Sequence, residues 1–181
     1  MIRLSMLAWA LAALVPAQAT TLTKASLDDL IQKSTSVVRG KVVGSSTGAR
    51  GSLVYTYYKI QVLERLKGTA TDQVQVQVPG GSFAGVQQSI AGAPRLADGS
   101  EYVFFLWTGP SGARHLLGLS QGVLDVIKNA TGDSMVVRQA SDAVVVDSAT
   151  GQTGSQDTFQ MRLSEFNSRV SRVVMGATSA R

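Results

Sequence analysis

The sequence predicts a mainly β protein: a small antiparallel barrel with a short helix before it and an amphipathic helix after it. Three observations carry that expectation. Between Ser36 and Ile127 apolar residues recur with period two, as in Gln73-Val74-Gln75-Val76-Gln77-Val78, where valines face a core and glutamines face water. Glycine, proline and serine clusters interrupt the alternation at short intervals, as turns between strands do. "EYVFFLW", Glu101 to Trp107, is almost continuously apolar and reads as a strand covered on both faces.

The chain opens on "MIRLSMLAWALAALVPAQAT", with one charge at Arg3, an uncharged apolar stretch from Leu4 to Val15, the helix-breaking Pro16 and the small-x-small triplet Ala17-Gln18-Ala19. This is the pattern of an export signal. Its apolar stretch, about 12 residues, falls short of the roughly 20 that span a bilayer. Cleavage is expected between Ala19 and Thr20, which makes residues 1–19 a signal peptide and the mature protein secreted or periplasmic. Residues 20–128 are expected to form the barrel, and 129–181 a C-terminal extension whose hairpin and helix pack on it.

In the mature chain Ser26 precedes Leu27-Asp28-Asp29-Leu30-Ile31, the spacing of a capping box, so both aspartates read as partners of a helix start rather than as an acid/base pair. "SVVRGKVVGSS" and "LVYTYYKIQVLERLKG" follow as long strands joined by the Gly/Ser-rich "SSTGARGS". Pro79-Gly80-Gly81 ends the next strand, because proline donates nothing to a ladder and glycine takes positive φ. "SFAGVQQSIA" is expected to be a strand bulged at Gly85. Gly92-Ala93-Pro94 and Asp98-Gly99 then turn the chain into "EYVFFLW". "HLLGLSQGVLDVIK" supplies two short strands broken at Ser120-Gln121-Gly122. Beyond Lys128, "MVVRQ" and "AVVVD" are expected to pair as a hairpin, and "SATGQTGSQDT" is a polar loop. Leu163, Phe166, Val170 and Val173 or Val174 mark one face of a last helix, with Ser164 as its cap and Gly176 as its stop.

Composition closes off several chemistries. There is no cysteine, hence no disulfide, thiol nucleophile or thiolate metal site, which fits an exported bacterial protein whose core alone supports it. His115 is the single histidine, so the commonest zinc sites are absent. No calcium loop, Walker loop or dinucleotide fingerprint occurs, and neither cofactor nor catalytic residue is expected. One catalytic pattern does match in letters: Gly118-Leu119-Ser120-Gln121-Gly122 is G-x-S-x-G, with His115 as the available base. An esterase elbow needs a helix directly after its serine, and the strand-like "VLDVIK" follows here. Ser120 therefore reads as a turn residue, and a serine hydrolase using Ser120 and His115 is the alternative function.

The formal net charge of +5 serves solubility or an anionic partner. In the second long strand Tyr55, Tyr57 and Lys59 share one face with Gln61, Arg65 and Lys67, while Val54, Tyr58, Ile60, Val62 and Leu66 share the inward one. Arg39 and Lys41 point outward on the first strand. If the two strands pair, Arg39 and Lys41 come near Tyr57 and Lys59, a mixture of cations and aromatic rings suited to nucleic acid or an acidic glycan.

The succession "STSVVRGKVV", "YTYYKIQVLERLKG", "VQVQVPGG", "GAPRLADGSEYVFFLW", "LLGLSQGVLDV" resembles a group of uncharacterised exported bacterial proteins that carry these motifs in the same order. It also looks like the netrin and tissue-inhibitor-of-metalloproteinases class of OB-like barrels. The resemblance covers about Ser26 to Lys128. It implies an OB-like barrel, and its motifs are mostly structural; the function expected is a non-catalytic exported module that binds a protein partner, such as a secreted peptidase or a component of the cell envelope. Those inhibitors place a disulfide-tethered N-terminal cysteine on the protease zinc. This cysteine-free chain has none to offer, so that mode of inhibition does not carry over.

Overall fold

A computed structural model describes residues 21–141, 143–147 and 150–179; the expected signal peptide and its cleavage point between Ala19 and Thr20 lie outside the described residues. The elements are β1 (Thr21–Thr23), α1 (Leu27–Lys33), β2 (Ser36–Arg50), β3 (Leu53–Lys67), β4 (Gln73–Pro79), β5 (Gly81–Phe83) and β6 (Val86–Gln88). They continue with β7 (Glu101–Thr108), β8 (Arg114–Leu116), β9 (Val123–Lys128), β10 (Ser134–Arg138), β11 (Val144–Val146), β12 (Thr153–Gly154), β13 (Phe159–Arg162) and α2 (Leu163–Ser179). β2, β3, β4, β8 and β7 pair in that order, and β7 pairs again with β2, so the sheet closes into the expected OB-like barrel. One contact departs from the antiparallel expectation, because β4 and β8 run parallel.

Two cores lie on opposite sides of β7. Inside the barrel, the inward set of each strand meets: Val38 and Val42, Tyr58 and Ile60, Val74, Val76 and Val78, Phe104 and Leu106, and Leu116. On the outside, Val103 and Phe105 are covered by Leu30 and Ile31 of α1 and by Phe166 and Val170 of α2. That double cover is why "EYVFFLW" lacks alternation. Each fully buried side chain of this size contributes about 1.5–3 kcal/mol relative to exposure.

α1 begins as its sequence requires. Ser26 Oγ accepts the Asp29 amide at 3.1 Å, and the Asp29 carboxylate accepts the Ser26 amide at 3.3 Å. Asp28 instead takes a two-point pair from Arg169 of α2, at 2.8 and 3.1 Å, and so fastens the two helices together. The Arg169 hydrogen bond holds the Asp28 carboxyl below its usual range. A carboxyl lowered in the folded state stabilises above its unfolded value, and that contribution is lost as pH falls through the folded value. The two side chains are 40% and 44% exposed, so Asp28→Asn should cost at most about 1 kcal/mol at neutral pH. The difference from wild type should vanish in acid, as followed by urea denaturation at successive pH values.

Four expectations are corrected. "SSTGARGS" is mostly ladder: β2 and β3 stay paired to Arg50 and Leu53 and turn on Gly51-Ser52 alone. "SFAGVQQSIA" is a tight hairpin of β5 and β6 rather than one bulged strand, with Ala84 and Gly85 at φ 48° and 79° in its turn, as a two-residue hairpin demands. "MVVRQ" and "AVVVD" do not pair with each other. β10 pairs with β9 and β13 and so continues the barrel sheet, while β11 joins β1 in parallel and β12 antiparallel. Finally, α2 starts at Leu163, directly out of β13, and passes through Gly176 without stopping, so Ser164 and Gly176 are interior positions.

Pro79 is the last residue of β4, and Gly81 takes φ 130° where a Cβ would lie 2.6 Å from Thr56 Oγ1. Gly80 links β4 to β5, and Gly92, Pro94 and Gly99 lie on the connection from β6 to β7, with Gly92 against Leu22 and Ala143.

Candidate binding face of the barrel

Because Val76, Leu106 and Leu116 point into the barrel, their neighbours Gln77, Trp107 and His115 point out. Strand register sets them side by side. Tyr57 lies opposite Gln77, Gln77 opposite His115, and His115 opposite Trp107. The Trp107 and His115 ring centroids are 6.0 Å apart, and Tyr55 lies 6.4 Å from Tyr57. Trp107 is 44% exposed. At the middle of this row Gln77 Oε1 is buried between its aromatic neighbours and has no hydrogen-bond partner among the described residues. Exposed Gln73, Gln75, Gln61 and Lys59 border the row.

The sequence-based site is partly assembled. Tyr55, Tyr57 and Lys59 share the outer face, and Lys41, opposite Gln61, stands diagonal to Lys59 on it. Arg39 does not join them. Although β2 and β3 shift register three times, the two shifts between the Gly51-Ser52 turn and Arg39 cancel, and the long ladder itself sets Arg39 opposite Glu64, where Arg39 Nε meets Glu64 at 3.0 Å and Nη1 meets Glu101 at 3.0 Å. It is a structural ion pair across three strands. One of those shifts lies beside Gly40, whose added Cβ would stand 2.5 Å from Ile60 Cγ2 and 2.8 Å from Gln61 O.

No family model and no curated protein matches the chain.

Ser120 and His115, the residues of the hydrolase alternative, serve different places. His115 faces outward against Trp107, whereas Ser120 lies in a 3-10 turn, Leu119–Gly122, that leads straight into β9. The Ser120 hydroxyl donates to Gln156 Oε1 at 3.1 Å and lies 3.2 Å from Ser141 Oγ. These groups line a cavity of about 660 Å³ with Tyr102 and Asp125, and burial raises the Asp125 carboxyl above its usual range. Gln121, 1% exposed, accepts from Ala25 N at 2.8 Å and donates to Thr23 O at 3.0 Å. The G-x-S-x-G letters thus describe a turn that fastens the N-terminal strand to the barrel.

Among the described residues no cluster of three or more metal-ligating side chains occurs, and no helix is long and apolar enough to cross a membrane. Gln77, His115 and Trp107 were not legible as site residues. Alternation gives the outward direction of Gln77, but its neighbours arrive through the parallel β4–β8 pairing, which no local pattern announces.

Proposed function

We propose that this chain is an exported, non-catalytic binding module that takes an extended acidic glycan across its outer barrel face. The observation that carries this reading is the row Tyr57, Gln77, His115, Trp107, continuous over four strands. Aromatic faces stack on flat ligands, and amides serve hydroxyls as donor and acceptor together. Charge decides between polymers. A protein that grips nucleic acid spends about 6–10 cations on phosphates. Here Lys41 and Lys59 remain on the face once Arg39 is neutralised by Glu64 and Glu101, enough for scattered carboxylates and too few for a phosphate backbone. A protein partner is the second reading, favoured by Leu53, Phe83 and Val86, which are 42%, 42% and 53% exposed at neighbouring hairpin tips.

After export the protein should begin at Thr20, which its mass checks, and Trp107 is then its sole tryptophan. Titration with a uronic-acid oligosaccharide should change Trp107 emission saturably. Tyr57→Ala should weaken binding about tenfold, within the range for loss of one stacking contact, with an unchanged melting temperature. Tighter binding of single-stranded DNA than of the oligosaccharide would transfer the face to nucleic acid. A flat response to both would sink the polymer reading.

A further inference from the structure

Beneath the helices lies a second feature that shares no residue with the barrel face. On β10, Val136 and Arg138 point the same way, into the layer that α1 and α2 cover. Arg138 is only 5% exposed. Its guanidinium carbon sits 4.9 Å from the centre of the Phe159 ring, the cross-strand neighbour on β13. Nε and Nη2 are shielded from water and have no hydrogen-bond partner among the described residues. An arginine stays charged in proteins, and a buried charge without partners is strongly unfavourable unless something completes it. Burial disfavours its charged form here too, and the carboxylate of Asp157 opposes that without bonding to it.

What could complete it is set by the space beside it. Arg138 and Phe159 line a cavity of about 490 Å³, within the usual range for small-molecule sites. Its other charges are already engaged: Lys24 with Asp157 at 2.8 Å, Asp29 with Lys33 at 3.1 Å, Arg169 with Asp28 at 2.8 Å, and Asp147, whose carboxylate accepts the Thr150 amide at 3.2 Å and faces the charge of Lys24. Leu27, Met161 and Phe159 make the apolar part of the wall. We propose that this cavity binds a small carboxylate carrying an apolar body, with the carboxylate on Arg138 and the body against Phe159, Met161 and Leu27. Met161 is an adaptable side chain of the same wall, and the planar guanidinium fork matches a carboxylate at two points.

The test is a melting and calorimetric titration with 3-phenylpropionate, with 3-phenylpropionamide as the uncharged control, to about 10 mM, where even a millimolar site is filled. The acid should raise the melting temperature saturably and the amide should not. Arg138→Met should weaken the acid at least about tenfold, as expected for loss of a charge-assisted pair. Without ligand, Arg138→Met should melt at or above the wild-type temperature, because it removes a buried charge whose Nε and Nη2 have no hydrogen-bond partner among the described residues. The proposal is overturned if the acid gives no saturable shift, or if it stabilises Arg138→Met as much as wild type. It is equally overturned if Arg138→Met melts lower than wild type while Arg138→Lys does not, since the charge would then serve the fold alone.

Discussion

Gly122→Ala should lower stability by about 3 kcal/mol or more, whereas Ser120→Ala, two residues earlier, should stay within about 1.5 kcal/mol. A Cβ at position 122 would stand 2.2 Å from the Leu117 carbonyl oxygen, 2.9 Å from its nitrogen and 3.0 Å from its carbon. All three are backbone atoms, and Leu117 has no room to yield, because its amide donates to Phe105 O at 2.9 Å. Moving it would pull on β7, the strand shared by both cores. The turn is also held from the other side by the Gln121 bonds to Thr23 and Ala25. In a chain of this size about 2–4 °C is lost per kcal/mol, so the melting temperature should fall by roughly 6–12 °C. A fall of less than about 2 °C would mean that Leu117 and Gly122 are not packed in this way. Ser120→Ala carries a second readout. If it abolishes labelling by a serine-directed covalent probe, the hydrolase alternative returns, whatever its effect on stability.

What could be read from the sequence was what neighbours along the chain decide. The capping box at Ser26, the inward valines of β4 and the double cover of β7 are local patterns, and each stands in the structure. The unread part is what the sheet decides between distant segments. "SSTGARGS" reads as a loop, yet β2 and β3 stay paired out to the turn at Gly51-Ser52, and that longer ladder sets Arg39 opposite Glu64 instead of the tyrosines. The parallel contact of β4 with β8 joins Gln77 to His115, and nothing near either residue signals it. β10 failed differently. "MVVRQ" places Arg138 two residues after Val136 and hence on the buried side, so a charge at an inward position was visible, but its meaning depends on Phe159 arriving from β13.

The placement of residues beyond Lys128 is open to a sharper trial at Phe166. This ring is fully buried and meets Phe105 edge-on, with centroids 6.2 Å apart and planes at 79°. Phe105 belongs to β7, whose adjacent residues Phe104 and Leu106 fill the barrel. A void opened under α2 therefore loosens the same strand that closes the barrel against β2 and β8. Phe166→Ala should cost about 3–5 kcal/mol, the usual range for truncating a buried phenylalanine. The decisive observable is how the loss is distributed. Trp107 fluorescence reports the barrel, and far-ultraviolet circular dichroism reports every strand and helix. If the outer layer and the barrel unfold as one unit, both signals should move together to a lower midpoint in a single transition. Were residues 129–181 a separable extension, dichroism would split into two steps and the Trp107 midpoint would stay at its wild-type value. The shared strand argues for the first outcome, since β7 cannot lose its outer cover without relaxing the side chains that it carries inward.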